Sequence, residues 1–274
     1  MKNAILTLSL LALACLPASA GVVIEMTVEN AGSGGEAATD TIYAHGEMLR
    51  VDARSGRGDG EMSMIFRDDR FWIVERDKNE CQTIDKETIE EIGSQVGAAM
   101  KQMEAELSKL PPEQRAMVEK MMKGKMPGGM AGMEKQAPPR RVEAGATEQV
   151  GDHSCVVHTV YAGAEKTREI CAAPEGPSKL MSEAMVAFRA MAGFMKGLQE
   201  NAQRMPFMSM DGSPFRDVEE IGGFPVRVRT FDGGRMTSES TLNSVARRDL
   251  DDAFFSPPKD CKVKDMAEEM KRFR

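Results

Sequence analysis

The sequence predicts an α+β fold organised around an antiparallel sheet, and three observations carry that prediction. Short period-two segments run from Gly21 to Ile84, the period turns helical at Asp85, and hairpin patterning returns after residue 150. With 274 residues, 41% of them hydrophobic and 29% charged, the chain is large enough for a real core and is neither a polytopic membrane protein nor a disordered polymer. Thirty-six basic against 43 acidic residues leave a net charge of -7, which argues against a surface that coats nucleic acid.

Met1 to Ala20 combines Lys2, an apolar run from Ala4 to Leu16 and the small-residue triplet Ala18-Ser19-Ala20. This is the pattern of a secretory signal peptide cleaved after Ala20, placing the protein in the periplasm or outside the cell. The alternative is a lipid anchor on Cys15, disfavoured by Ala12 three residues before it. No later segment approaches the roughly 20 apolar residues of a membrane-spanning helix, so no transmembrane segment is expected.

In the first strand Ile24, Met26 and Val28 alternate with Glu25, Thr27 and Glu29. Segments 42–44, 47–53, 61–67 and 71–75 continue the series, broken at Gly46, Gly56 to Gly60 and Asp68-Asp69. This predicts a meander with one face on the core and one in water. Asp85 is placed to cap a helix whose apolar line is Ile89, Ile92, Val96, Met100, Met103, Leu107 and Leu110. Pro111-Pro112 interrupts it, and Met117, Met121 and Met122 mark a shorter helix, giving a helical insertion over 86–123. Residues 124–149, rich in Gly, Pro, Lys and Ala without period, read as a flexible linker.

Strands are expected again at 154–161 and 167–172, around Ala162-Gly163-Ala164. Ser178 then opens a helix with the apolar line Met181, Met185, Phe188, Met191, Met195 and Leu198. Pro225 to Phe231, Asp232-Gly233-Gly234 and Arg235 to Val245 form a last hairpin. The organisation is therefore a signal peptide at 1–20, one domain at 21–264 and a polar tail at 265–274.

Setting Cys15 aside leaves Cys81, Cys155, Cys171 and Cys261, an even number that favours two disulfides in an oxidising compartment. Pairing Tyr161 with Glu165 across the hairpin puts Cys155 opposite Cys171, which leaves Cys81 to join Cys261. No C-x-x-C spacing suggests zinc.

The order of these pieces resembles the bacterial family known as domain of unknown function 4412. The resemblance is carried by Met64-Ile65-Phe66-Arg67 leading to Phe71-Trp72-Ile73-Val74, by the helix after Asp85 and by Ser154-Cys155-Val156-Val157-His158-Thr159-Val160-Tyr161. Gly223-Phe224-Pro225-Val226-Arg227 and Phe255-Ser256-Pro257-Pro258 complete it. Such proteins look like the periplasmic lipoprotein-localisation-factor superfamily. The resemblance implies a curved antiparallel sheet, an incomplete β-barrel, covered by amphipathic Met-rich helices and enclosing an apolar cavity.

No catalytic constellation is visible. His45, His153 and His158 are the only histidines, and H-E-x-x-H, G-x-S-x-G and a phosphate-cradling glycine loop are all missing from the sequence. An enzyme and a resident cofactor are therefore not expected. Methionine is the unusual residue: eight fall between Met100 and Met133 and seven between Met181 and Met210. Three readings compete. The thioethers fill helical core faces, or they shape an adaptable surface for a lipid or other apolar small molecule. The candidate contacts for such a ligand are Ile24, Met26, Val28, Met100, Met103, Met185, Phe188 and Met195. In the third reading Met121, Met122, Met126, Met130 and Met133 bind soft Cu(I). An envelope-protein partner docking on the linker is a further alternative.

Overall fold

The computed structural model describes residues 20–31, 37–54, 60–111, 114, 138–174, 178–202, 217 and 220–264. Two antiparallel meanders meet in one sheet of twelve strands. The first contains β1 (Ala20–Asn30), β2 (Ala37–His45), β3 (Met48–Arg54), β4 (Glu61–Arg67), β5 (Arg70–Glu75) and β6 (Glu80–Ile84). The second contains β7 (Arg140–Val150), β8 (His153–Ala162), β9 (Glu165–Ala173), β10 (Phe224–Asp232) and β11 (Arg235–Asp249). They are joined through β1 and β11, whose register runs from Ala20↔Asp249 to Asn30↔Ser238. The short strand β12 (Lys262–Lys264) adds in parallel to β6, the one parallel pairing among the described strands. The sheet is curved and open, with β12 and β7 at its edges, so it does not close into a barrel.

Tight turns punctuate the meanders where the sequence places residues that tolerate positive φ. Gly233 and Gly234 both adopt it between the paired Asp232 and Arg235, the geometry that suits a two-residue hairpin. Asp68 and Asp69 do the same without glycine, at φ of 51° and 53°. Gly223 has a different necessity: its φ is 85°, and a Cβ there would stand 2.5 Å from the Ala173 carbonyl oxygen.

Among the described residues two long helices are inserted between strands: α1 (Lys86–Lys109) between β6 and β7, and α2 (Lys179–Ala202) between β9 and β10. Asp85 caps α1, its carboxylate accepting from the Thr88 backbone N–H at 2.8 Å and from the Thr88 hydroxyl at 2.7 Å. Burial opposes ionisation of Asp85, but these bonds and the Arg70 guanidinium outweigh it and hold the carboxyl below its ordinary range. The α2 helix crosses β1, β2, β3, β10 and β11 and also touches α1.

Three expectations require correction. The sequence extends the flexible linker to residue 149, yet the last ten of those residues, 140–149, belong to β7 and pair with β8. This is an edge strand, largely exposed from residue 143 to 149 and bulged between Ala144 and Thr147, so no alternation marks it in the sequence. The hairpin register also differs: Ala162 faces Glu165 and Cys171 faces Val157, with an irregularity at Val160/Tyr161. Cys155 and Cys171 are consequently diagonal neighbours, with Cα atoms 5.3 Å apart and a disulfide between them. Finally, the second face of the first meander is wet only in part, Glu25 being exposed while Ile65, Val74 and Cys81 are buried. Residues 250–264 lie over it, tied down by the Cys81–Cys261 disulfide and by β12.

The shorter helix expected near Met117, the rest of the insertion to residue 123, residues 124–137, the polar tail and the first 19 residues lie outside the described residues.

Candidate functional site

Alternate residues of the first meander separate two apolar layers. Val22, Ile24, Met26, Leu49, Phe66 and Phe71 point to the face covered by α2. Helical spacing directs Met181, Ala184, Met185, Phe188 and Met191 back onto them. Ser178 starts this helix by accepting from the Met181 N–H through its hydroxyl and from the Ser182 N–H through its carbonyl. Phe188 meets Phe224 edge-on, with ring centroids 6.2 Å apart, and Phe194 tilts against Phe66 at 5.3 Å.

Most of the expected ligand contacts gather in this layer. Ile24, Met26, Met185 and Phe188 are buried in it, Met195 packs partly buried against it, and Val28 is half-buried further along β1. Met100 and Met103 lie on α1, but their side chains are outside the described residues, as are Met121, Met122, Met126, Met130 and Met133. Ile24 and Met185 have no exposed surface, so protein atoms fill the middle of the layer. They reach a guest only if α2 moves.

Open space lies at one end. A cavity of about 550 Å³ is walled by Cys155, Val156, Ala173, Pro174 and Met181, with Ser178 at the start of α2 beside it. Its rim is polar, made by Thr147, Asp152, His153 and Ser154. Cys155, Ala173 and Met181 belong both to this wall and to the buried layer, so the cavity adjoins the core through a thioether and a disulfide. Met181 has three rotatable bonds and can vary its reach without moving backbone. The cavity fits the size class of small-molecule sites, roughly 300–1,000 Å³. Sequence reasoning placed Met181 on the apolar line of a helix and gave His153 no catalytic role; nothing in their spacing shows that a cavity lies between them.

Electrostatic pairs frame the second meander. Arg229 lies directly opposite both Glu169 and Glu239 in the register and is ion-paired with each. Burial disfavours the Glu169 carboxylate, but hydrogen bonds from Lys166 and Arg229 overcome that and lower its proton affinity. Asp217 is almost fully buried between Arg140 and Arg168, and Arg168 is pushed below the ordinary arginine range by burial despite that carboxylate. This tie positions the chain just before β10. It brings together residues 77 and 49 positions apart, which no local pattern discloses.

Among the described residues there is no group of three His, Cys, Asp or Glu side chains that could hold a metal, and no helix long and apolar enough to cross a membrane. Two disulfides fit an extracytoplasmic protein.

No family model matches this chain, and no curated protein does. Among solved structures it is similar to an uncharacterized conserved protein from Thermus thermophilus, with a TM-score of 0.44, 9% identity and 90% of each chain covered. It is also similar to the MucA/MucB complex structure of Pseudomonas aeruginosa, with a TM-score of 0.36 and 10% identity over 90% of this chain and 59% of that one. A LolA superfamily protein from Nitrosomonas europaea gives a TM-score of 0.28 and 9% identity, covering 88% of this chain and 91% of that one. All three scores are below 0.5, so the reading of the site rests on its own geometry.

Proposed function

We propose that this is a non-enzymatic periplasmic protein that binds or carries a lipid or similar apolar molecule between the sheet and its helices, in keeping with the motif resemblance to the 4412 family. The observation that carries the reading is the cavity of about 550 Å³ beside Met181, which shares walls with a core lined by thioethers and alanines. An apolar tail entering there buries its surface at about 25 cal/mol per Å², while the polar rim leaves a headgroup in water. Met185 and Met191 can then re-pack around chains of different shape.

Native mass spectrometry of gently purified protein, followed by solvent extraction, tests this. The expected result is an adduct of lipid mass that Met181→Trp displaces by filling the cavity while the fold is retained by circular dichroism. Protein that is free of adduct and takes up no fluorescent fatty acid overturns the proposal.

A further inference from the structure

On the face opposite α2, a second cavity of about 360 Å³ lies between β3–β5 and the chain segment that follows β11. Its composition is unlike that of the first. Ile65 and Val74 form a buried apolar floor, Ala253, Pro257 and Pro258 form the roof, and Arg50, Arg76 and Lys259 supply three cations. No carboxylate is among the residues lining it.

The carboxylate that holds this arrangement stands behind the wall. Asp52 pairs with Arg50 Nε at 2.9 Å and Arg76 Nη2 at 2.7 Å, and it accepts from the Ser63 hydroxyl at 2.7 Å. Ser63 in turn accepts from Arg76 Nε at 2.8 Å. Arg50 Nη1 donates to the Phe254 carbonyl at 2.8 Å, and the guanidinium lies 4.4 Å from the Phe254 ring centroid. Both guanidinium groups are thus fixed before any ligand arrives, which removes part of the entropy cost of binding. The bonds of this network use Arg50 Nε and Nη1 and Arg76 Nε and Nη2, and leave Arg50 Nη2 and Lys259 Nζ outside it.

The lining itself carries Arg50, Arg76 and Lys259 and no carboxylate; Asp52 behind it pairs with both arginines and Glu61 with Arg76 Nη1 at 3.4 Å, so Lys259 is the lining cation outside this network. We infer that this outer cavity is a binding site for a small amphiphilic carboxylate, a monoanion whose apolar body rests on Ile65 and Val74 under the prolines. Its carboxylate meets Arg50 Nη2 and Lys259, guanidinium being a planar donor suited to that group. At about 30 Å³ per water-sized unit the space holds on the order of ten non-hydrogen atoms, which matches a benzoate-sized molecule rather than a long acyl chain. The inference is independent of the proposed lipid site, because no lining residue is shared.

The test is isothermal titration of the full chain with benzoate, benzamide and inorganic phosphate, at low and at high salt. Benzoate is expected to bind and to weaken as salt rises, with benzamide and phosphate each at least about tenfold weaker, one lacking the charge and the other the apolar body. Lys259→Glu, at an exposed position, should weaken benzoate by on the order of tenfold without changing the melting temperature. Arg50→Lys keeps the charge but loses the fork, and is expected to weaken benzoate while the Cys81–Cys261 disulfide retains the segment. Equal binding of benzamide, equal binding of phosphate, no binding of benzoate, or indifference to Lys259→Glu overturns the inference. Loss of the fatty-acid adduct in Met181→Trp does not bear on it.

Discussion

The two faces of the first meander are built from alternate residues of the same strands, yet they are closed in opposite ways. Leu49 and Val51 face α2, while Arg50 between them reaches the C-terminal segment at the Phe254 carbonyl and Asp52 on the same side holds it there. Under α2 the layer combines Met, Ala and aliphatic groups with Phe66, Phe71, Phe188 and Phe224 and the Cys155–Cys171 disulfide, and its thioethers are the part that can re-pack. On the other face Phe254 and Phe255 pack edge to face at 5.6 Å, Tyr43 meets Phe254 at 4.7 Å, and the Cys81–Cys261 disulfide and Arg50 tie the covering segment to the sheet. The C-terminal covering is the more firmly tied, through Cys81–Cys261 and Arg50, and α2 the more adaptable, through its thioethers; a cavity adjoins each.

That contrast can be broken most directly at Phe255, which has no exposed surface. Phe255→Ala removes the centre of the rigid layer and is expected to cost about 3–5 kcal/mol in urea unfolding. Next in size, Cys261→Ser cuts a cross-link spanning 180 residues and should cost about 2–4 kcal/mol. Hydrogen exchange should then show β12 and residues 250–261 opening while α2 stays protected. A uniform loss of protection would mean that the two layers unfold as one.

Met185→Leu probes the adaptable side. Although Met185 is fully buried, a volume-conserving swap there is expected to cost less than about 1.5 kcal/mol in the same unfolding assay. A larger penalty would show this layer to be as exacting as the other. The smallest effect concerns Glu169, outside both layers. Its folded pKa is lowered from the ordinary 4.5, so its stabilising share is complete above that value and is lost as pH falls through the lower folded one. Glu169→Gln should therefore lower stability at neutral pH and flatten the acid limb of the stability profile below pH 4.5.

Much of the architecture was legible where one element carries its own signal. The alternation of Ile24, Met26 and Val28, the Asp85 cap, the Met181-to-Leu198 stripe and the Gly233-Gly234 turn are each local, and each appears in the structure. Both cysteine pairings were also legible, although the hairpin register behind one of them is offset by the irregularity at Val160/Tyr161. What escaped notice depends on distance along the chain. β7 lacks alternation because its surroundings are solvent and one neighbour. Arg50 and Ser63 look like the polar side of ordinary strands until residues 253–259 cover them, and their link to Asp52 and Arg76 exists only in the fold. Asp217 gives no hint that two arginines await it.

The junction of the two meanders has a consequence for assembly. Ile24 sits opposite Val245, 221 positions later in the chain, so the central seam of the sheet cannot zip until nearly the whole polypeptide is present. Each half can form its own hairpins early, but until they unite both leave a bare strand border open to strangers. A chain released in stages is therefore most vulnerable to clumping just before its last strands arrive, when β1 is still waiting for β11.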